Sequence, residues 1–271
     1  MSQPSATTPL NSGLERYNRL RDYLVAKRGL LPAISLTVGF LLWELLGRAD
    51  ISSALPAFSD VLTAIGEEWS TEAFWSATIT TLTEIAVGLP IAIVLGLLVG
   101  MLMGMFRWVE WLFNPYVSIF LSVPLTALVP IFLLLFGLSK TAVIVAVFVY
   151  TFFVVVLNTH AGVTNVDRNL LDMARSFGTK QTLLIRRVVI PSALGLILAG
   201  VRIAVGRAVK GAIVTEQIIG LLGLGGRVQR LGGAFAVDKL YAVVLFIGIL
   251  GLVSMELMRL VERSRENARP G

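Results

Sequence analysis

Apolar runs of roughly twenty residues recur along this 271-residue chain, and they limit what it can fold into. A helix of that length crosses the hydrocarbon core of a bilayer, and inside lipid only helices and closed barrels satisfy every backbone polar group. The chain is therefore expected to be an all-α, polytopic membrane protein with about six transmembrane helices. The predicted spans are, approximately, Leu30–Leu46, Thr78–Met105, Pro115–Leu138, Thr141–Asn158, Ala193–Ile219 and Leu240–Leu260.

The basic residues predict the orientation of these spans. Lys and Arg are roughly three times as frequent in the segments assigned to the cytoplasm as in those assigned outside, which is the bias of cytoplasmic loops. We expect residues 1–29 and 263–271 to be cytoplasmic tails around a single transmembrane domain, residues 30–262. A cleaved signal peptide is disfavoured because no A-x-A-like site follows the first apolar run. Leu55 begins a short amphipathic helix outside the membrane, continuing through Trp69.

Composition excludes several kinds of chemistry. The chain has no cysteine and a single histidine, His160, so disulfides, metal–thiolate sites and a histidine-based metal site are excluded. His160 closes the fourth span and is expected to be interfacial. No segment has the G-x-x-x-x-G-K-[ST] pattern that holds nucleotide phosphates, and no Ser, His and carboxylate arrangement suggests a hydrolase. We therefore expect no catalytic residue, no metal and no cofactor bound by this chain.

The segment from Asn165 to Pro191 is a hydrophilic interruption between two apolar runs. Its pattern predicts two short amphipathic helices, with Asp167 as the N-cap of the first. Gly178 is expected to take positive φ between them, and Thr179 to cap the second. The second helix should end before Pro191, because proline disfavours helical geometry in the residue ahead of it. The expected apolar side is formed by Leu170, Leu171, Ala174, Phe177, Leu183, Leu184 and Val188, with Arg186 and Arg187 outward.

This segment resembles the cytoplasmic loop of permease subunits of ATP-binding-cassette (ABC) importers, whose pattern is E-A-A, three residues, G, nine residues, I-x-L-P. Asp172-Met173-Ala174, Gly178 and Val188–Pro191 fall on that spacing. Asp replaces Glu, Met replaces the first Ala, and Val and Ile replace the apolar pair. Two more segments, 55–58 and 221–226, resemble the external LPSP-type and LTGLG-type motifs of nitrate, taurine and aliphatic sulfonate permeases.

The resemblance implies a type I ABC importer-like fold in a bacterial plasma membrane, working as a homodimer in the lipid bilayer. The implied partners are a cytoplasmic ABC ATPase subunit, which binds the ATP and Mg²⁺, and an extracytoplasmic solute-binding protein; no nucleic acid is expected. The implied cargo is a small anion such as a sulfonate, taurine or nitrate. The residues that the motif assigns to ATPase coupling are Asp172, Met173, Ala174, Gly178, Arg186, Arg187, Ile190 and Pro191. A self-contained secondary transporter or channel for a small anion is the alternative, and an intramembrane enzyme is third.

Polar residues in the fifth span are candidates for the translocation path. Arg202, Arg207, Lys210 and Glu216 lie there, where a charge costs roughly 2.5–3.5 kcal/mol and should face protein or water. They either line a path for an anion or make structural pairs, such as Arg207 or Lys210 with Glu84 or Glu216.

Prolines and glycines mark other points along the spans. Pro124 and Pro130 interrupt the third span, either to line the path or only to bend the helix for packing. Gly96, Gly100 and Gly104 are predicted to allow close helix packing. Gly223–Gly226 is predicted to be an external turn.

Overall fold

The computed structural model describes residues 30–266, and every regular element in them is helical. The predicted tail 1–29 and the residues after Glu266 lie outside the described part. The first half contains α1 (Leu30–Arg48), α2 (Phe58–Trp69), α3 (Glu72–Met105), α4 (Arg107–Ser122) and α5 (Val129–Phe136). The second half contains α6 (Lys140–Thr164), α7 (Arg168–Ser176), α8 (Gln181–Leu184), α9 (Ile190–Ile219), α10 (Gly223–Gly233) and α11 (Val237–Glu266).

Four of these helical segments are long and apolar enough to cross a membrane: Glu72–Met105, Lys140–Thr164, Gln181–Ile219 and Val237–Leu260. The pair α4 and α5 makes a fifth if it is counted as one bent span. The first predicted span coincides with α1, whose 19 residues extend for about 28 Å at ~1.5 Å per residue. The all-helical membrane fold is confirmed, whereas the exact number of six spans stays a prediction.

The chain divides into two compact units, residues 1–62 and 63–271. In the described part of the first unit, a polar contact closes the connection that follows α1. The Glu44 carboxylate accepts hydrogen bonds from the backbone N–H of Ser59 (2.9 Å) and from its hydroxyl (3.0 Å). The Trp43 indole donates to the Pro56 carbonyl at 3.1 Å. The short amphipathic helix predicted after this connection is confirmed as α2, and its place outside the membrane stays a prediction.

In the second unit, α6 lies between α3 and α9 and forms the centre of the bundle. Its contact with α3 depends on glycines. A Cβ added at Gly96 would lie 2.8 Å from the Cβ of Val155, one at Gly100 2.6 Å from the Cβ of Thr159, and one at Gly104 2.5 Å from the Cβ of Val163. Carbon atoms do not approach so closely, so the predicted packing role of Gly96, Gly100 and Gly104 is confirmed.

The opposite face of α6 packs equally closely on α9. A Cβ at Gly200 of α9 would lie 2.4 Å from the Cβ of Asn158, and one at Gly211 would lie 3.0 Å from the Tyr150 ring. Both faces of α6 are therefore in close contact with neighbouring helices over several turns.

The third predicted span is broken where Pro124 lies. Val123, the residue before this proline, is extended (φ −71°, ψ 132°), as the ring of a following proline requires. Pro130 does not add a second kink, because it occupies the first turn of α5, where its missing N–H costs no helical bond. The helices on either side of the break meet at 96°. The break thus comes from Pro124 alone, and Pro130 begins the next helix.

Candidate functional site

The coupling segment, defined here as residues 165–191, begins as the sequence predicts. The Asp167 side chain accepts a hydrogen bond from the backbone N–H of Asn169 at 2.9 Å, which confirms it as the N-cap of α7. Asp172 lies on the exposed side of this helix and pairs with Arg175 at 3.3 Å. Both side chains are mostly in solvent, so the pair contributes little to stability. The acidic position of the motif is therefore available at the surface.

Gly178 provides the reversal between the two halves of the coupling segment. Its φ is +68°, a conformation that is strained for residues with a Cβ, and it follows the C-terminal end of α7. No atom lies within 4 Å of the position that a Cβ would occupy. Gly178 is thus required by backbone geometry and not by lack of space, and its exposure leaves it open to a partner.

The second half of the segment corrects two predictions. Lys180, not Thr179, is the N-cap of α8, and it makes no side-chain cap. The helix does not end before Pro191: residues 185–189 form a π-helical turn, and α9 continues through the proline. In this turn the Ile190 N–H donates to the Ile185 carbonyl, five residues back. The wider turn accommodates the proline ring, which would clash with the carbonyl four residues back in a regular α-helix.

The coupling segment has two apolar faces. One packs on the neighbouring ends of α3, α6 and α9 through buried or half-buried side chains, namely Val166, Leu171, Val188 and Val189. The other face is uncovered: Phe177 is 83% exposed and Met173 55%, with Leu170 and Leu183 also exposed. The sequence predicted a single apolar side, whereas the structure separates Leu171 from Leu170. Arg186 and Arg187 are exposed, as predicted.

On α9, the basic residues do not share one environment. Arg207 and the exposed Lys210 lie on a single stripe with Ile203 and Ile218, each about half exposed. Within residues 30–266, neither Arg207 nor Lys210 makes an ion pair or hydrogen bond, so the predicted structural pairing with Glu84 or Glu216 is not present there. Arg202 is half-buried, about 140° around the helix from Arg207, and it does interact within the described residues.

Glu216 is separated from these cations and is fully buried. It accepts a hydrogen bond from the Thr81 hydroxyl on α3 (2.7 Å) and another from the Gly225 backbone N–H (2.8 Å). The Leu224 N–H in turn donates to the Thr81 hydroxyl oxygen at 2.9 Å. Gly223–Gly226, predicted to be an external turn, instead forms the buried first turn of α10. We call Thr81, Glu216 and this first turn of α10 the outer anchor, and we use inner and outer for the two sides predicted from the distribution of basic residues.

Sequence reasoning placed Glu216 on the translocation path and did not connect it with Thr81 or Gly225. The one available signal was the density of glycines after Glu216. Gly223 has a φ of +58°, and a Cβ there would lie 1.8 Å from a Glu216 carboxylate oxygen. A Cβ at Gly225 would lie 2.2 Å from the Ile213 carbonyl oxygen. These glycines are needed because the chain turns directly over the carboxylate.

The described part of the chain is an all-helical bundle with several candidate membrane spans and an exposed amphipathic segment at one end. Two solved transporters share the fold. An amino acid ABC transporter matches with a TM-score of 0.60 and 24% identity, covering 70% of this chain and 93% of that one. The MetNI methionine ABC transporter, in an inward-facing conformation, matches with a TM-score of 0.57 and 21% identity, covering 68% and 92%. The fold is that of type I ABC importer permeases.

Sequence comparison gives the family. The model described as "Binding-protein-dependent transport system inner membrane component" matches residues 88–267, and the chain belongs to this family. A probable ABC transporter permease protein of Brucella melitensis is 30% identical, covering 86% of this chain and 94% of the relative. The putative aliphatic sulfonates transport permease protein of Escherichia coli is 32% identical, covering 84% and 88%. The riboflavin transport system permease protein of Chloroflexus aurantiacus is 30% identical, covering 86% and 89%.

Proposed function

We propose that this permease moves a small anion, such as a sulfonate, taurine or nitrate, across the bacterial plasma membrane, and that ATP hydrolysis in a separate cytoplasmic subunit drives the movement. The chain itself is the transport subunit, an inner membrane component of an ABC importer. Family membership favours an importer over the alternative of a self-contained secondary transporter or channel. The printed substrates of the relatives differ, with sulfonates, riboflavin and taurine among them, so the cargo is argued from this chain's own residues.

The uncovered apolar face of the coupling segment supports docking to an ATPase. A phenylalanine that is 83% exposed, with Met173 beside it, is costly in water and cannot be covered by lipid if the segment lies in the cytoplasm. Because the opposite face is packed on the inner ends of three spans, a force applied to the uncovered face would reach those spans directly. The ATPase would bind the ATP and Mg²⁺, and both termini of this chain would lie on the same cytoplasmic side.

The stripe of Arg207 and Lys210 supports the choice of an anion. Arg207 and Lys210 have no ion pair or hydrogen bond among residues 30–266, and they require water or a partner because a charge facing lipid is expensive. A second copy of the chain packed around a shared aqueous path would supply both, and the path would attract anions. An extracytoplasmic binding protein would deliver the anion to its outer end.

Docking can be tested by co-purification with two matched substitutions. Phe177→Ser removes the most exposed side chain of the coupling segment, and Phe235→Ser removes one that is 85% exposed beyond α10, at the other end of the molecule. We expect tagged wild-type protein and Phe235→Ser to bring down an ATPase in mild detergent, and Phe177→Ser to lose it. Equal recovery of the ATPase by both variants would contradict this docking surface.

The cargo can be tested by uptake of labelled taurine, an alkanesulfonate, nitrate and riboflavin in cells that express the permease with its partners. We expect taurine, the alkanesulfonate or nitrate to be taken up. Arg207→Gln or Lys210→Gln should reduce this uptake about tenfold, which corresponds to losing ~1.4 kcal/mol of interaction. Arg259→Gln, which changes an exposed arginine on α11, serves as the control. Uptake of riboflavin alone, unaffected by either substitution, would overturn the choice of an anion.

A further inference from the structure

Glu84 of α3 is a buried acid that takes no part in the function proposed above. Its side chain is 0% exposed, and neither carboxylate oxygen receives a hydrogen bond from any donor in the described residues. Buried polar atoms are rarely left in this state, because each one loses its hydrogen bonds to water without replacement. Glu84 follows Thr81, the residue that donates to Glu216, by about one turn of α3, and its carboxyl group interacts with that of Glu216 on α9. A proton or a cation, and not an N–H or O–H group of a neighbouring described residue, must therefore satisfy this pair.

The two carboxyl groups have different surroundings. Glu216 accepts from the Thr81 hydroxyl on one oxygen and from the Gly225 N–H on the other, and it lies at the N-terminus of α10, where the helix dipole favours a negative charge. Glu84 has no comparable donor. The geometry thus stabilises a carboxylate at Glu216 and supplies nothing to stabilise one at Glu84.

Charged groups on the surrounding helices do not compensate the pair. Lys140, on α6, is exposed and makes only a long-range interaction with Glu84. Arg207 lies about 180° around α9 from Glu216, on the uncovered stripe. Arg227 of α10 forms an ion pair with Glu68, to which its Nε donates a hydrogen bond at 2.7 Å. Two buried carboxylates that interact, with no cation beside them among residues 30–266, cannot both be ionised at acceptable cost.

We propose that Glu84 and Glu216 hold one proton between them inside the membrane region, with Glu84 as the acid that donates and Glu216 as the carboxylate that accepts. The proton supplies the donor that Glu84 lacks, and it completes a chain of hydrogen bonds from α3 through Glu216 to the first turn of α10. The site is a proton-binding site that joins α3 to the outer end of α9. It does not depend on the identity of the transported solute.

The proposal predicts opposite results for two substitutions of the same type. Glu84→Gln replaces a donating acid by a donating amide of the same shape, so the Tm of the purified protein should stay within about 2 °C of wild type. Glu216→Gln keeps one acceptor oxygen, so its NH₂ group must face either the Thr81 hydroxyl or the Gly225 N–H, and both of these donate to Glu216. Its Tm should fall by about 5 °C or more. Equal losses in both variants, or the reverse order, would overturn the assignment of donor and acceptor.

Infrared spectroscopy of the wild-type protein tests the proton without relying on the stability of a variant. We expect a band from a hydrogen-bonded carboxylic acid at neutral pH that shifts in deuterated buffer and is absent from Glu84→Gln. A metal cation is the competing occupant. In that case the band would be missing from wild type, and its Tm would rise with the concentration of sodium or potassium. These two results together would show that a metal cation, and not a proton, lies between Glu84 and Glu216.

Discussion

The two ends of α9 are built in opposite ways. At the outer end, the helix is held by buried contacts that join residues far apart in the chain: Glu216 to Thr81 and Gly225, and Leu224 to Thr81. At the inner end, the same helix extends without interruption into the coupling segment through a π-helical turn, and much of that segment is exposed. One end is fixed by the core, and the other is presented to solvent.

This difference suggests how movement at the coupling segment reaches the membrane. The continuous helix Gln181–Ile219 has 39 residues, and its close contacts with α6 at Gly200 and Gly211 leave no free space for independent bending there. A displacement imposed on the exposed end is therefore expected to move the helix as one body. The outer anchor would then either stay fixed while α9 pivots about it, or its hydrogen bonds would have to break before α9 can move.

The largest effect is expected from a methyl group in the outer anchor. In Gly225→Ala, the new Cβ would lie 2.2 Å from the Ile213 carbonyl oxygen and 2.7 Å from the Glu216 Cβ, and backbone atoms cannot yield to it. We expect a loss of about 3 kcal/mol or more, with little folded protein recovered in detergent. Gly233→Ala, at the other end of the same helix, has no atom within 4 Å of its Cβ and should fold normally.

The next largest effect is expected from the buried ion pair of α10 with α2. Arg227 and Glu68 are both mostly buried, with 13% and 4% of their side chains exposed. Arg227→Ala leaves the Glu68 charge buried without its partner, which costs about 3 kcal/mol and lowers the Tm. Lys239→Ala is the matched comparison, because its pair with Glu67 is largely exposed and should cost less than about 1 kcal/mol. Similar Tm values for both variants would show that burial of the Arg227–Glu68 pair does not stabilise the outer end.

A smaller effect on stability, but a large one on coupling, is expected at the inner end. Gly178→Val forces a β-branched residue to a φ of +68°, whereas Gly178→Asn introduces a side chain that tolerates this conformation. We expect Gly178→Val to lose the ATPase in co-purification while its Tm falls by only a few degrees, since the position is exposed. Gly178→Asn should retain the ATPase. Loss of binding in both would indicate that the partner requires glycine for space and not for backbone conformation.

Which of these features the sequence could predict depends on how locally they are determined. Four long spans, the Asp167 cap, the positive φ of Gly178 and the close packing of the α3 glycines follow from residue type and spacing within a few turns, and the structure confirms them. The outer anchor could not be predicted, because its hydrogen bonds join residues 135 and 143 positions apart. No local pattern connects Thr81 with Glu216, so the sequence indicates only that Glu216 is a charge within a span, whereas the structure buries it against Thr81 and Gly225.

The error at Pro191 has a different origin. The rule that a helix ends before proline assumes regular α-helical hydrogen bonding, in which the ring meets the carbonyl four residues back. A π-helical turn removes that contact by placing the ring over a wider turn, and such turns have no strong sequence signal. The sequence therefore shows where the proline lies, but it does not show that the helix continues through it.

Pro191 also gives the smallest expected change in stability, and the one that most directly tests the inner end of α9. Pro191→Ala restores an N–H that can bond four residues back, so the turn at 185–189 can relax to a regular α-helix. A π-helical turn holds about one residue more than an α-helical turn, so this relaxation would shift the register of the preceding residues relative to α9. We expect a Tm within about 2 °C of wild type but reduced uptake and weaker ATPase binding. Serine at the adjacent position, Ser192→Ala, is the control because it leaves the π-turn unchanged. If Pro191→Ala transports normally, the register set by the π-turn is not what connects the coupling segment to the span.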